Sequence, residues 1–206
     1  DAWHDRYLEE VTKADRAVGE LLAQLKKEGR FDAAWIIITS DHGEEFWEHG
    51  FLGHAITLYD EVLRVPLLVK EPHRTEPVVC QKPVSLLDVP ATLIAALSLV
   101  GEAPSHGRYL LCDTQASREI TASSAIWGTP RFALIQGCRK SISAYSWEFG
   151  AYQGRRFEEY FDVCADPPEA APLSPDAIPL ELKQRLSAAS AEMTVESSPA
   201  AQPTAA

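Results

Sequence analysis

Six consecutive residues, Ala34-Trp35-Ile36-Ile37-Ile38-Thr39, run straight into Ser40-Asp41-His42-Gly43-Glu44-Glu45, and this junction constrains the fold more than any other stretch. A short unbroken run of apolar β-formers reads as a buried strand of a parallel-type sheet, the kind that α/β proteins cover with helices. At its carboxyl end the sequence changes abruptly to acid, imidazole and glycine. Open α/β sheets bind ligands just outside the carboxyl ends of their strands, and adjacent oxygen and nitrogen donors there point to a metal ion. A second imidazole follows thirteen residues after Asp41, in Gly53-His54.

The surroundings of the junction suit that fold class. Leu8, Val11, Val18, Leu21, Leu22 and Leu25 fall at helical spacing and predict a helix over 7–27, with Gly29 placed to end it. Asp15 shares that helix's apolar face and needs a hydrogen-bond partner or an exit to solvent, a structural role. A second strand is expected at Val65-Pro66-Leu67-Leu68-Val69, entered through a helical turn within 57–64. The stretch 84–99 reads as a helix opened by Ser85 or Asp88, with Pro90 in its first turn.

After Gly101 the pattern shortens. Ile120 to Ile126, Arg131 to Gln136, Lys140 to Tyr145 and Phe157 to Phe161 predict a small antiparallel sheet. Ile178, Leu182 and Leu186 mark one more helix, with Asp176 and Pro179 at its start. The expected division is an α/β core over 1–100, an antiparallel sheet-plus-helix subdomain over 101–190 and, from the run of Ala, Ser, Pro and Thr, a disordered tail over 191–206.

Composition narrows the function. A chain of 206 residues, 46% hydrophobic and 24% charged, can bury a real core. A formal charge of −11 disfavours nucleic acid, whose binding depends on clustered Lys and Arg, so an anionic substrate here needs local cations or a metal. No apolar run approaches the roughly 18 residues that a membrane span requires. Cys80, Cys112, Cys138 and Cys164 form no C-x-x-C pair, which argues against a zinc knuckle and leaves their redox state open.

From about Tyr7 to about Glu169 the chain resembles the sulfatase family of the alkaline phosphatase superfamily. The resemblance rests on an ordered set: Val11, Asp15 and Gly19 in the first helix, Thr39-Ser40-Asp41-His42-Gly43-Glu44, Glu48-His49-Gly50, Gly53-His54, and Leu58-Tyr59-Asp60-Glu61. It continues through Leu63-Arg64-Val65-Pro66-Leu67, Val84 to Pro90, Glu159-Tyr160-Phe161-Asp162, Asp166-Pro167 and Glu169. It implies part of an alkaline-phosphatase-like three-layer sheet sandwich, followed by a small antiparallel α+β carboxyl-terminal subdomain. It implies a hydrolase of sulfate esters in which Asp41 and His42 are one of two ligand pairs of a divalent metal. Calcium is the family's common ion; histidine in place of asparagine leaves manganese, magnesium or zinc open.

At the spacing of His54 many members carry a lysine on the sulfuryl or phosphoryl oxygens, which makes His54 the candidate contact to the anion. An imidazole can donate to the anion or protonate the leaving oxygen. His49, in the same loop, either lines the site or ties the loop down.

Other readings compete. Asp41 alone could close an Asx-turn with His42 exposed, and only the flanking landmarks favour ligation. Glu44 and Glu45 read as an acid pair at a helix amino terminus, Glu61 and Arg64 as an ion pair, and Glu158-Glu159 as a solvated or structural pair. The same superfamily also holds phosphonate and phosphate ester hydrolases and phosphotransferases, and a chain that lost its site would be a non-catalytic interaction domain.

The family's nucleophile is a formylglycine made from the cysteine of a C-x-P-x-R motif, which none of the four cysteines satisfies. Asp1 and Asp5 lack the buried strand that would precede the other ligand pair. The resemblance is therefore to the carboxyl-terminal half of the domain. It implies that the formylglycine and the opposing carboxylates come from an amino-terminal half, that this chain is inactive alone, and that it exposes a sheet edge and apolar faces.

Overall fold

The computed structural model describes residues 2–80, 82–101, 107–110, 118–124, 131–148, 151–165 and 168–196. The chain is α/β and divides into two compact units, residues 1–54 with 64–80 and residues 55–63 with 81–206. These limits differ from the expected boundary at residue 100: both 55–63 and 81–100 go with the later sheet.

In the first unit, α1 spans Ala2–Lys27. Gly29, at φ +68°, ends it as expected: its N–H reaches the Lys26 carbonyl (3.1 Å) and the Arg30 N–H reaches that of Leu25 (2.9 Å). No residue of α1 is buried. Val18, Leu22 and Leu25 are half-covered, whereas Leu8, Val11 and Leu21 are exposed. Asp15 is exposed too, so its carboxylate takes the exit to solvent and carries no burial cost.

β1 (Ile36–Thr39) lies where the apolar run predicts a strand. Its partner is β4 (Leu67–Lys70), however, and the pairing is antiparallel, with Ile37 opposite Val69 and Thr39 opposite Leu67. A parallel neighbour needs a crossover connection, and the segment between β1 and β4 instead returns the chain in the opposite direction. Among the described residues β4 is the only partner of β1, so its isoleucines are half-buried rather than buried. Lys70 Nζ binds the carbonyls of Asp32 (3.1 Å) and Ala34 (3.2 Å), holding the approach to β1 against β4. A second two-stranded sheet pairs β2 (Glu45–Phe46) with β3 (Leu52–Gly53).

The second unit holds α2 (Asp60–Leu63), α3 (Asp88–Ala96), an antiparallel meander of β5 (Glu119–Ser124), β6 (Arg131–Gln136), β7 (Arg139–Glu148) and β8 (Ala151–Asp162), a 3-10 turn at Pro175–Ala177 and α4 (Leu180–Glu196). Alternate residues of the sheet point to opposite faces, and both faces are covered. Ala133, Ile142, Ala144 and Phe161 pack with Leu58 and Tyr59, while Phe132, Leu134 and Tyr160 pack with Ile178, Leu182 and Leu186. Leu182 and Leu186 are thus buried on α4, whereas Ile178, expected in the same helix, is extended backbone just before it and joins the same cluster.

The expected helix over 84–99 is shorter as α3, and Asp88 closes its start. The buried Asp88 carboxylate accepts the N–H of Ser85 (2.9 Å) and of Arg108 (2.7 Å) and pairs with the Arg118 guanidinium. Cys138 and Cys164 form a disulfide with Cα atoms 5.2 Å apart. Cys80 is exposed, and Cys112 lies outside the described residues, as do Ile126 and the Asp166-Pro167 landmark. α4 runs six residues into the stretch 191–206; positions 197–206 of that stretch lie outside the described residues.

Candidate functional site

Thr39 fixes where the strand stops, because its hydroxyl donates to the Pro66 carbonyl (2.8 Å) beside the start of β4. The chain then turns on side-chain bonds. Ser40 Oγ donates to the His42 carbonyl (2.6 Å), and Asp41 Oδ1 accepts the His42 N–H (3.1 Å). Asp41 therefore does shape the turn, yet its side chain is 88% exposed and Oδ2 stays available.

His42 Nδ1 lies 2.8 Å from the Gly43 carbonyl. A carbonyl can only accept, so Nδ1 carries a proton and Nε2 is the nitrogen left to face a metal, as in metal-binding histidines held by a second partner. Asp41 Oδ2 and His42 Nε2 are 3.8 Å apart. One divalent ion with bonds of about 2.0–2.4 Å could take both. The donor pair fits such an ion as two of its ligands, and among the described residues no third His, Cys, Asp or Glu completes the set.

The segment after Gly43 is a hairpin rather than a helix start, which corrects the reading of Glu44-Glu45 as an acid pair on a helix amino terminus. Glu45 is fully buried, and one carboxylate oxygen accepts the N–H of both His49 (3.1 Å) and Phe51 (2.9 Å). Those bonds hold the turn, in which the Trp47 N–H donates to the Phe51 carbonyl (2.7 Å) and Gly50 takes φ +92°. His49 is thereby tied through its backbone. Phe46, on the same hairpin, meets the edges of His4 and Tyr7 from the first turns of α1, at centroid distances of 5.2 and 5.1 Å.

The register of the hairpin brings the second imidazole to the first. Glu45 stands opposite Gly53, so the flanking residues Glu44 and His54 face each other. His54 Nδ1 lies 3.2 Å from both oxygens of the Glu44 carboxylate, and the His54 ring stacks on that of His42 at 4.0 Å, inclined by 24°. Asp41, His42 and His54, the three residues expected to form the site, are thus gathered by one loop. Their partner Glu44 is not evident from its local pattern; the available signal was the Gly50 turn between Glu45-Phe46 and Leu52-Gly53, which fixes an antiparallel pairing.

Chemically, the loop offers one exposed carboxylate, one imidazole with Nε2 unengaged by the backbone and one imidazole held by an acid. The described residues contain no hydroxyl or thiol nucleophile in the C-x-P-x-R context. Two of the cysteines are joined to each other.

Residues 3–99 match the sulfatase family model. Among curated proteins, the chain is 33% identical over 81 residues to the uncharacterized sulfatase YidJ of Escherichia coli, covering 39% of this chain and 16% of that protein. It is 23% identical over 172 residues to arylsulfatase K of Xenopus laevis, covering 79% of this chain and 32% of that one. Among solved structures, BT4656 in complex with its substrate D-glucosamine-2-N,6-O-disulfate superposes with a TM-score of 0.64 at 21% identity, over 90% of this chain and 39% of that chain. The chain spans about a third or less of the curated relatives it matches. Its architecture is a fragment of the alkaline-phosphatase-like fold. Over residues 3–99 the chain is therefore similar to the sulfatase family.

Proposed function

We propose that this chain is the carboxyl-terminal part of a metal-dependent hydrolase of sulfate esters, contributing one metal-ligand pair, Asp41 and His42, and an oxyanion contact, His54. The observation that carries the reading is the convergence on one loop of an exposed carboxylate, a histidine held by Nδ1 with Nε2 toward that carboxylate, and a second imidazole stacked on the first. The sulfatase match over 3–99 supplies the reaction class. A disulfated glucosamine bound to BT4656 shows the kind of substrate one relative in fold accepts, and a sulfated sugar or aryl ester is the class proposed here.

Each residue has its own task. Asp41 adds negative charge and an oxygen donor suited to calcium, and His42 a nitrogen that also suits manganese or zinc. A bound divalent ion would polarise the ester oxygens and favour ionisation of the attacking hydroxyl. His54 donates a hydrogen bond to the anion or a proton to the leaving oxygen. The nucleophile, a formylglycine in this reading, and the opposing carboxylates belong to an amino-terminal half, without which the chain turns nothing over.

The test uses the full-length protein. Asp41→Ala should lower bound metal, read by elemental analysis, and cut hydrolysis of an aryl sulfate by about 100-fold or more. Metal content and rate equal to the parent's would remove Asp41 from the site and leave a non-catalytic interaction domain as the better reading. Faster turnover of a phosphonate or phosphate monoester than of the sulfate would move the substrate class within the superfamily.

A further inference from the structure

We infer that Glu44 is a positioning residue for His54: it holds the imidazole by Nδ1 so that Nε2 is the atom presented to the substrate. This rests on the proposed role of His54 and extends it to a residue with no assigned part in the site. The geometry is specific. Both carboxylate oxygens lie 3.2 Å from Nδ1, and the Glu44 side chain is only 21% exposed whereas that of His54 is 47% exposed. An ionised carboxylate accepts and cannot donate, so the proton of that contact sits on Nδ1, and the proton His54 gives to the anion or the leaving oxygen is the second one, carried on Nε2 by the imidazolium form.

The backbone is built to allow the pair. Gly53, paired with Glu45 in the hairpin register, has φ +107°, a conformation L side chains rarely adopt. A Cβ at Gly53 would lie 3.6 Å from Glu44 Oε1, so the carboxylate rests directly over the glycine. On the other side the ring is limited by His42, stacked at 4.0 Å. With one face covered and one nitrogen bound, the imidazole has a held plane, and Nε2 is the ring nitrogen that Glu44 leaves for the substrate. A partner that fixes tautomer and ring orientation typically changes function by about 10- to 100-fold when removed.

Two measurements on the full-length protein decide it. In aryl sulfate hydrolysis, Glu44→Ala should lower kcat by about 10- to 100-fold with KM changed by less than about 3-fold. Glu44→Gln should recover most of that loss, because its amide oxygen can accept the same proton. Adding Glu44→Ala to His54→Ala should cost nothing further, since a residue acting only through His54 has no route left. Glu44→Ala at the parental rate, with His54→Ala impaired, overturns this inference and leaves the proposed function standing. His54→Ala at the parental rate overturns both. The second measurement needs no variant: nitrogen chemical shifts of neutral His54 should report the Nδ1–H tautomer, and an Nε2–H tautomer overturns the inference even if the Glu44 variants fail to fold.

Discussion

Lys140 has no exposed surface, yet its ammonium is met from two distant parts of the chain, by Asp60 Oδ1 at 2.8 Å and Glu169 Oε1 at 2.7 Å. The other Glu169 oxygen accepts the Asp60 N–H at 2.6 Å, which closes the three residues into one buried network. Burial pushes the Glu169 carboxyl above its ordinary value of 4.5, and the Lys140 charge works against that rise. Because the folded value lies above the unfolded one, this group's contribution to stability is full below the unfolded value and lost as pH climbs through the folded one. Lys140→Met removes the opposing cation and leaves two carboxylates face to face. It should destabilise the fold by about 3–5 kcal/mol at neutral pH. The deficit against the parent should shrink as pH falls toward 5, read as denaturation midpoints at both pH values. A deficit that grows on acidification would mean the carboxylates are not what Lys140 neutralises. None of this was legible in the sequence, where Asp60 and Glu169 are family landmarks and Lys140 merely opens a strand.

At the scale of elements, the β2–β3 hairpin gathers the candidate site residues, and its register rather than its composition sets Glu44 opposite His54. The disulfide does comparable work in the second unit. Cys138 sits between β6 and β7 and Cys164 just beyond β8, so the bond staples the β6–β7 turn to the end of the neighbouring strand. The Val163 N–H on the Cys138 carbonyl (2.9 Å) and the Arg139–Asp162 ion pair (2.8 Å) lie at the same corner. Closing a span of 26 residues removes unfolded-state freedom worth about 3.5 kcal/mol, so reduction should lower the unfolding free energy of this unit by up to about that amount, read as a lower denaturation midpoint. An unchanged midpoint in reductant would show that the corner holds without the bond. The strands themselves were readable, since β6 lies at Arg131–Gln136 as its pattern predicts. The cysteine pairing was not, because spacing alone leaves several pairings open.

At the scale of the whole molecule, the two units are unequal. Both apolar core clusters among the described residues belong to the second. In the first, α1 buries no residue, and Leu21 and Leu68 are 59% and 58% exposed. Exposed apolar side chains of this kind are what the carboxyl-terminal-half reading expects of surfaces that normally meet the rest of a sheet. Hydrogen exchange should therefore be faster in β1 and β4 than in β6 and β7 by at least about 10-fold, because local opening follows local burial. Equal protection would mean that the first unit is as well packed as the second. Adding the amino-terminal half should slow exchange in β1 and α1 and leave β6 unchanged.

The sequence by itself determined what is local. The apolar run at 34–39 had to be a strand, Leu182 and Leu186 had to be buried positions of a helix, and the motif from Thr39 to Glu44 together with Gly53-His54 carried the family resemblance and the three candidate site residues. These follow from periodicity and residue chemistry over a few positions. The tertiary structure alone decided that β1 pairs antiparallel with β4, that Glu44 faces His54, that Lys140 sits between Asp60 and Glu169, and that Cys138 joins Cys164. Each of these is a choice among distant partners, settled by burial, register and desolvation once the chain is folded, and no local pattern encodes it.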